Sequence, residues 1–269
     1  MIGPFKTAAS NILRDTQLTT TNYQKSIDFV KEHRIWEGIF KYSWLSKFLL
    51  LVGVVGGLAF IKFVFNYWSQ VEVTKGVSLA SVSTSISGFF VEGYDLFILG
   101  GLKYVILILM EVIIFHFARK TLEIKLDVEL DTSLKAFIKA QSRMIKVVFY
   151  SWIMETIITF IVVKIGFSIL SLGSIRFVAT VLIQSYFLGF AIIDNYNEMY
   201  HMSIKQSQRY ANQYAGVTLV IGIVTYMLMI IPLLGAVVGP LIGAVVAVLT
   251  MNELYHKDRN MDWVFIERK

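Results

Sequence analysis

The sequence predicts an all-α integral membrane protein with two long transmembrane helices followed by two membrane-penetrating helical hairpins. Of the 269 residues, 56% are hydrophobic and only 16% are charged, against about 25% charged residues in a typical soluble domain. In addition, the stretch from Gly216 to Asn252 carries no charged side chain, which is typical of helices in lipid or among lipid-embedded helices. The length fits one membrane domain over residues 1–269.

The composition also excludes several classes of function. The chain has no cysteine, so it forms no disulfide and no cysteine metal site. It contains no phosphate-binding loop, GxGxxG or GxSxG motif, and its histidines share no ligand spacing with acidic residues. We therefore expect no enzyme, no catalytic residue, no cofactor and no metal site.

The N-terminal region, residues 1–43, is polar with scattered apolar positions. Ile27, Val30 and Ile35 recur near helical spacing, which predicts an amphipathic helix over Gln24–Phe40 lying along the membrane surface. Its basic side chains are interpreted as a solvated face, and we expect no nucleic-acid partner.

Residues 44–118 hold the two predicted spanning helices. Trp44–Trp68 and Leu96–Ala118 would be about 37 Å and about 34 Å long as helices, and both exceed the roughly 30 Å hydrocarbon core. The polar loop 69–95 connects them.

A polar amphipathic link follows over residues 119–144. The run TLEIKLDVELD alternates apolar and polar side chains, which is a strand pattern, but a single strand has no partner. The run is therefore either an extended linker or a continuation of the preceding helix. Asp131 to Ser133 offers an N-cap, and helical spacing from Leu134 predicts a helix that leads into the next apolar stretch.

The first hairpin is predicted over residues 145–193. Its arms, Ile145–Ile165 and Arg176–Ile193, would be about 31 Å and about 27 Å long, so this hairpin either spans the membrane or enters it partway. A glycine- and serine-containing break over Gly166–Ser174 separates the arms, and a polar link over 194–215 follows.

The second hairpin is predicted over residues 216–252, before a polar tail over 253–269. Its arms, Gly216–Ile231 and Leu241–Asn252, would be about 24 Å and about 18 Å long, shorter than the hydrocarbon core. The predicted non-helical apex lies between the arms, because proline and glycine disfavour helix there; it is formed by Pro232, Gly235, Gly239 and Pro240.

The distribution of basic residues predicts the orientation. Seven Lys or Arg lie between Arg119 and Lys146, seven precede residue 48, and four lie in the tail, whereas loop 69–95 has only Lys75. Two spans and two returning hairpins place the basic segments on one side, which the positive-inside rule makes cytoplasmic.

The C-terminal part resembles the CysZ family of bacterial sulfate permeases, which shares a domain with eukaryotic etoposide-induced membrane proteins. The resemblance rests on an ordered set of short features over about 65 residues from Tyr186 onward; they are YFLGFAIID, HMSIKQSQR, GVTLVIG, IIPLL and GPLIGAVVA. It implies two spanning helices, two partly penetrating hairpins, a homo-oligomer and passage of an oxyanion.

One departure from this family concerns the substrate. Sulfate-binding members carry a Pro-Gly-Leu-Arg-like turn before the first span, whose amides and arginines hold the anion. Here the stretch reads KEHRIWEGIF, without Pro-Gly, and Arg34 is the only basic counterpart.

Several ionisable residues lie within the predicted membrane segments: Lys103, Glu111, Glu155, Lys164, Arg176 and Asp194. Such residues usually face protein or water. In one interpretation Lys103 and Arg176 attract an anion along a path that also includes Glu111, Glu155 and Arg34. In the other, Lys103 or Arg176 pairs with Glu111 or Glu155 and fixes helix packing. Asp194 is interpreted as a structural anchor for the polar link after its helix.

The resulting functional prediction is a permease or channel for a small anion, with sulfate as the candidate, in the bacterial cytoplasmic (inner) membrane. Its expected partners are the lipid bilayer, a small inorganic anion and further copies of the chain. The alternative is a non-transporting membrane scaffold that assembles partners through its helix surfaces.

Overall fold

The computed structural model describes residues 3–37, 102–130, 133–166, 173–229, 231 and 234–257. The predicted span Trp44–Trp68, the loop 69–95, Pro232 and the end of the tail lie outside this part. All regular secondary structure in the described part is helical. The helices are α1 (Gly3–Glu32), α2 (Leu102–Leu126), α3 (Leu134–Thr159, extended by a π-helical segment Phe160–Gly166), α4 (Gly173–Met199), α5 (Ile204–Gln213), α6 (Ala215–Met229) and α7 (Leu234–Lys257).

Three of these helices are long and apolar enough to cross a membrane. They cover Leu134–Val163, Arg176–Met199 and Gly235–Leu254. Only 22% of the most apolar window of the first is buried within the protein, against 78% for the last. Helix α3 therefore turns most of its apolar surface outward, as a lipid-facing helix does, whereas α7 lies in the centre of the bundle.

Helix α1 differs from the predicted surface helix over Gln24–Phe40. It is a 30-residue helix that ends at Glu32 and packs against α6 and α7. Ile27, predicted on its apolar face, is 51% exposed. The buried face is polar instead and has helical spacing; it consists of Asp15, Thr19, Asn22 and Ser26.

Side-chain hydrogen bonds hold this polar face in place. Asn22 donates to the Thr250 hydroxyl of α7 at 3.1 Å, and the Tyr23 hydroxyl donates to the carbonyl oxygen of Ile221 at 3.4 Å. Burial raises the pKa of the Tyr23 hydroxyl above its ordinary value, so this group stays a neutral donor. Hydrogen-bonding side chains can join helices where an apolar driving force is absent, and this explains why a polar helix is buried here.

The alternating run after Ala118 is helical over its first half. Helix α2 continues to Leu126, and Asp127 ends it with a left-handed φ of 52°. Leu122 is fully buried, and Arg119 forms an i,i+4 ion pair with Glu123 at 2.5 Å. The helical continuation is therefore correct for residues 121–126, where basic and acidic side chains pair along the helix, whereas residues 127–130 are not helical.

The predicted N-cap before the first hairpin is confirmed. The Ser133 hydroxyl accepts from the amide of Ala136, and the lead-in and the first arm form one continuous helix, α3. The second arm also extends beyond its predicted end, since α4 runs six residues past Ile193 to Met199. Asp194 therefore lies inside α4, and its predicted place at the start of the polar link is wrong.

The link between α4 and α6 is short. Ser203 begins α5 with a capping box, in which its hydroxyl accepts from the Gln206 amide and the Gln206 side chain accepts from the Ser203 amide. Helices α5 and α6 meet at a 95° bend.

The second hairpin is asymmetric, which corrects the prediction of two short arms. Helix α6 has 15 residues, but α7 has 24 and begins at Leu234, so α7 is about 36 Å long and can cross the hydrocarbon core. Gly235, Gly239 and Pro240 lie in its first two turns, and their assignment to a non-helical apex is wrong.

Close packing explains the glycines of this region better than a turn does. A Cβ on Gly235 would lie 1.6 Å from the carbonyl oxygen of Leu228, and one on Gly239 would lie 3.3 Å from that of Thr225. The same holds between α4 and α6, where a Cβ on Gly222 would lie 1.7 Å from the Ser185 carbonyl oxygen. These small residues let helix backbones touch, as in many membrane proteins.

Candidate functional site

Two charged clusters lie inside the helix bundle, and the first joins α2 to α3. The Lys103 ammonium lies 2.8 Å from Oε1 of Glu155, and the Tyr104 hydroxyl donates to Oε2 of the same carboxylate at 2.5 Å. The Lys103 side chain is 1% exposed and that of Glu155 is 10% exposed. Glu155 thus accepts from two buried donors, and the cluster is closed.

The second cluster centres on Arg143 and joins α3, α4 and the turn after α4. Nε and Nη2 of Arg143 each donate to a different oxygen of Asp194 at 2.7 Å, which is the bidentate geometry that best pairs these groups. Nη1 donates to the carbonyl oxygen of Met202 at 2.5 Å, and Glu198 lies 3.9 Å from Nε. Arg143 is therefore fixed on three sides.

Glu111 extends this second cluster towards α2. It is 1% exposed and lies close enough to Asp194, Glu198 and Arg143 to interact with them electrostatically. Its Oε2 has no hydrogen-bond partner among the residues that the structure describes. Three carboxyl groups, from α2 and α4, thus lie near one guanidinium inside the helix bundle.

A cavity of about 510 Å³ opens beside the second cluster. Arg143 and Glu198 form part of its wall, and the turn after α4 with the start of α5 forms another part. Four basic side chains line it, together with the exposed Ser142: Lys139, Arg143, Lys146 and His201. Water and small solutes can therefore reach the edge of a charge network that is otherwise buried.

The structure brings together only some of the sequence-predicted site residues. Lys103 and Glu155 form one pair, whereas Glu111 belongs to the Arg143 cluster, about 18 Å away along α3. Arg176 is exposed near the start of α4, about 27 Å along that helix from Asp194. A single path through all of the predicted residues is therefore not formed.

Arg34 lies apart from both clusters. It is 67% exposed in the turn after α1, has a left-handed φ of 45°, and pairs with Glu37 at 3.1 Å. The adjacent Ile35 is fully buried, and its carbonyl oxygen contacts Nε2 of His116 at 3.2 Å. The visible role of this turn is to anchor the end of α1 on α2.

The residues that sequence reasoning missed are Arg143, Glu198 and the two cavity lysines, Lys139 and Lys146. Lys139, Arg143 and Glu198 fall in segments predicted as polar links, whereas Lys146 is the second residue of the predicted first hairpin arm. One signal was available, because Lys139, Arg143 and Lys146 follow i, i+4, i+7 spacing from the predicted helix start at Leu134 and must share a helix face. No corresponding signal identifies Asp194 as the partner of Arg143.

Within the described ranges, no group of three or more His, Asp or Glu side chains is arranged to hold a metal ion. Comparisons with known proteins found no matching family model, no matching curated protein and no matching solved structure.

Proposed function

We propose that the protein is a membrane permease or channel for a small anion, with sulfate as the first substrate to test. The observation that carries this proposal is the basic cavity that meets a buried charge network within two candidate spanning helices. Ionisable residues are expensive inside a membrane, so they commonly mark ion or substrate pathways. The CysZ resemblance supports the same function, and with it a homo-oligomer in the bacterial cytoplasmic membrane.

The sign of the cavity supports an anion over a cation. The exposed Lys139 and Lys146 contribute two positive charges to the cavity wall, the charge of Arg143 is largely compensated by Asp194, and Glu198 is the one carboxylate among the lining residues. A concave surface of one predominant sign raises the local concentration of the opposite ion. Lys139, Arg143 and Lys146 belong to the basic segment between Arg119 and Lys146, which the positive-inside rule predicts to be cytoplasmic.

A membrane scaffold is the second candidate, because the Lys103–Glu155 pair is sealed. A path that used Lys103 to attract an anion would need this ammonium to be accessible, but it is 1% exposed and held by a carboxylate. Backbone contact between α4 and α6 at Gly189 and Gly222 is also what a tightly packed assembly module requires.

Uptake of labelled sulfate into proteoliposomes tests between the two. A permease gives uptake that saturates with sulfate and exceeds that of protein-free vesicles. Arg176→Gln is the matched charge control, because Arg176 is exposed and far from the cavity along α4, so uptake should persist in this variant. Well-folded protein that admits none of sulfate, phosphate and chloride would overturn the transport proposal and favour the scaffold.

A further inference from the structure

The basic cavity beside Arg143 has the features of a binding site for one particular chemical group. Two exposed lysines, Lys139 and Lys146, lie one turn on either side of Arg143 on the same face of α3. In the described part of the chain neither lysine takes part in an ion pair. Both ammonium groups are therefore available to an incoming ligand.

Arg143 plays a different part in this cavity. Its guanidinium already donates to Asp194 and to the Met202 carbonyl oxygen, and its side chain is 15% exposed. It therefore forms a rigid positive wall behind the lysines. Because Asp194 compensates much of this charge, the lysines supply most of the attraction for a ligand.

The start of α5 also lines the cavity, through Ser203, Ile204 and Gln206. The capping box uses the amides of Ser203 and Gln206. The amides of Ile204 and Lys205 lie in the first turn, where a helix offers no carbonyl partner. The positive end of the helix dipole adds to the attraction for an anion.

We infer that this cavity binds a tetrahedral oxyanion group, a sulfate or a phosphate, between the lysines of α3 and the first turn of α5. The group is either a free inorganic anion or the phosphate of an anionic lipid, since the cavity opens at the lead-in end of a candidate span. Its 510 Å³ volume leaves room for a hydrated anion or for the ester-linked part of a lipid headgroup. If the ligand is a free anion, the inference rests on the proposed function, because that anion is then the transported species. If the ligand is a lipid phosphate, the inference is independent of the proposed function.

Glu198 provides a signed test of the ligand's charge. Its carboxylate lines the cavity and repels an anion, so Glu198→Gln should tighten anion binding by about threefold, as expected from removing one partly screened like charge. A cation site would respond in the opposite direction. Weaker oxyanion binding by folded Glu198→Gln protein would therefore contradict the inference.

Because the natural chain has no cysteine, a single Ser142→Cys substitution creates a unique thiol in the cavity wall. We expect inorganic sulfate or phosphate to slow its modification by a water-soluble thiol reagent. Gln213→Cys, exposed at the end of α5 and outside the cavity lining, is the control and should react at an unchanged rate. Adding Lys139→Gln and Lys146→Gln should weaken the protection about tenfold or more, since both charge-assisted contacts are lost.

Lys135→Gln is the matched control for the lysine variants. Lys135 is exposed on the same helix but is not part of the cavity lining. Lys135→Gln should therefore change the protection of the thiol by no more than about twofold, because only a weak, screened electrostatic attraction is lost. Equal loss of protection in Lys135→Gln would show general surface charge and overturn the site.

Nanodiscs distinguish the two sources of the oxyanion. Protection by added sulfate or phosphate in phosphatidylcholine nanodiscs identifies a free anion. Protection that requires phosphatidylglycerol in the disc identifies a lipid phosphate. Protection by neither overturns the inference.

The outcome is separable from that of the proposed function. Protection without sulfate uptake would remove the permease proposal and keep the binding site. Sulfate uptake that is unaffected by Lys139→Gln and Lys146→Gln, together with no protection of the Ser142→Cys thiol, would keep the permease proposal and remove the binding site.

Discussion

Two buried ion pairs between helices, Lys103–Glu155 and Arg143–Asp194, have similar chemistry but different surroundings. Each joins α3 to a neighbouring helix at 2.7–2.8 Å. Tyr104, which donates to Glu155 in the first cluster, lines an apolar cleft of about 330 Å³ together with Phe149 and Trp152. The second pair adjoins the basic cavity, which admits water.

The difference in access to water separates the sealed Lys103–Glu155 pair, which we interpret as structural, from the Arg143–Asp194 pair beside the proposed binding cavity. When one partner of a sealed pair is removed, the other charge stays in a medium of low polarity. When one partner of the open pair is removed, water from the cavity can hydrate the other. The same substitution should therefore be more destabilising at Lys103–Glu155 than at Arg143–Asp194.

The largest effect is expected for Lys103→Met, which leaves the Glu155 carboxylate without its cation. Breaking a buried pair from one side costs about 3–5 kcal/mol, so the variant should accumulate poorly and melt at a lower temperature in detergent, as followed by tryptophan fluorescence. The double variant Lys103→Met/Glu155→Leu should recover most of this loss, because no unpaired charge remains. Native-like melting of Lys103→Met alone would show that water reaches Glu155.

A smaller effect is expected for Asp194→Asn at the open pair. Arg143 keeps its bond to the Met202 carbonyl oxygen and gains water from the cavity, so the loss should be about 1–3 kcal/mol. The same melting assay measures it, with Ser142→Ala in the same cavity wall as the control. A loss as large as that of Lys103→Met would mean that the two sites are equally dry, and the comparison would fail.

The sealed cluster can be examined further with Tyr104→Phe. This substitution removes one hydrogen bond to the Glu155 carboxylate and keeps the Lys103 ion pair, so we expect a loss of about 1.5 kcal/mol. The lower melting temperature should be accompanied by an unchanged elution volume in size-exclusion chromatography. An unchanged melting temperature would show that the hydroxyl contributes nothing to the cluster.

The smallest effect on stability is expected at the cavity lysines. Lys139→Gln and Lys146→Gln alter exposed side chains, so the free energy of unfolding should change by no more than about 0.5 kcal/mol. Thermal melting at low and high salt measures this change. A marked loss of stability in either variant would show that these lysines contribute to helix packing. Weaker oxyanion binding by that variant could then not be attributed to loss of a ligand contact.

Local sequence features predicted much of the helix content and little of the site. Ser133 begins its helix as predicted, because an N-cap acts within three residues. Pro240, in contrast, was predicted to lie in a turn, although α7 includes it. A proline does not end a helix when the surrounding packing, here of Gly235 and Gly239 against α6, stabilises the helical backbone.

The helix pairings could not be derived in the same way. The sequence showed that Lys103 needs an acidic partner or water, but Glu111 and Glu155 were equal candidates. The partner is Glu155 because α2 and α3 lie side by side in that register. Arg143 and Asp194 are 51 residues apart, and no periodicity connects them.

By itself, the sequence determined that the chain is helical, that several of its helices are apolar enough for a membrane, and where one capped helix begins. These properties depend on composition and on contacts within a turn or two. Only the tertiary structure decided that the polar face of α1 is buried, that α7 is central, and that Arg143 stands between Asp194 and an open cavity. Those outcomes depend on which helices become neighbours, because the cost of burying a charge or a glycine backbone is set by the side chains that surround it.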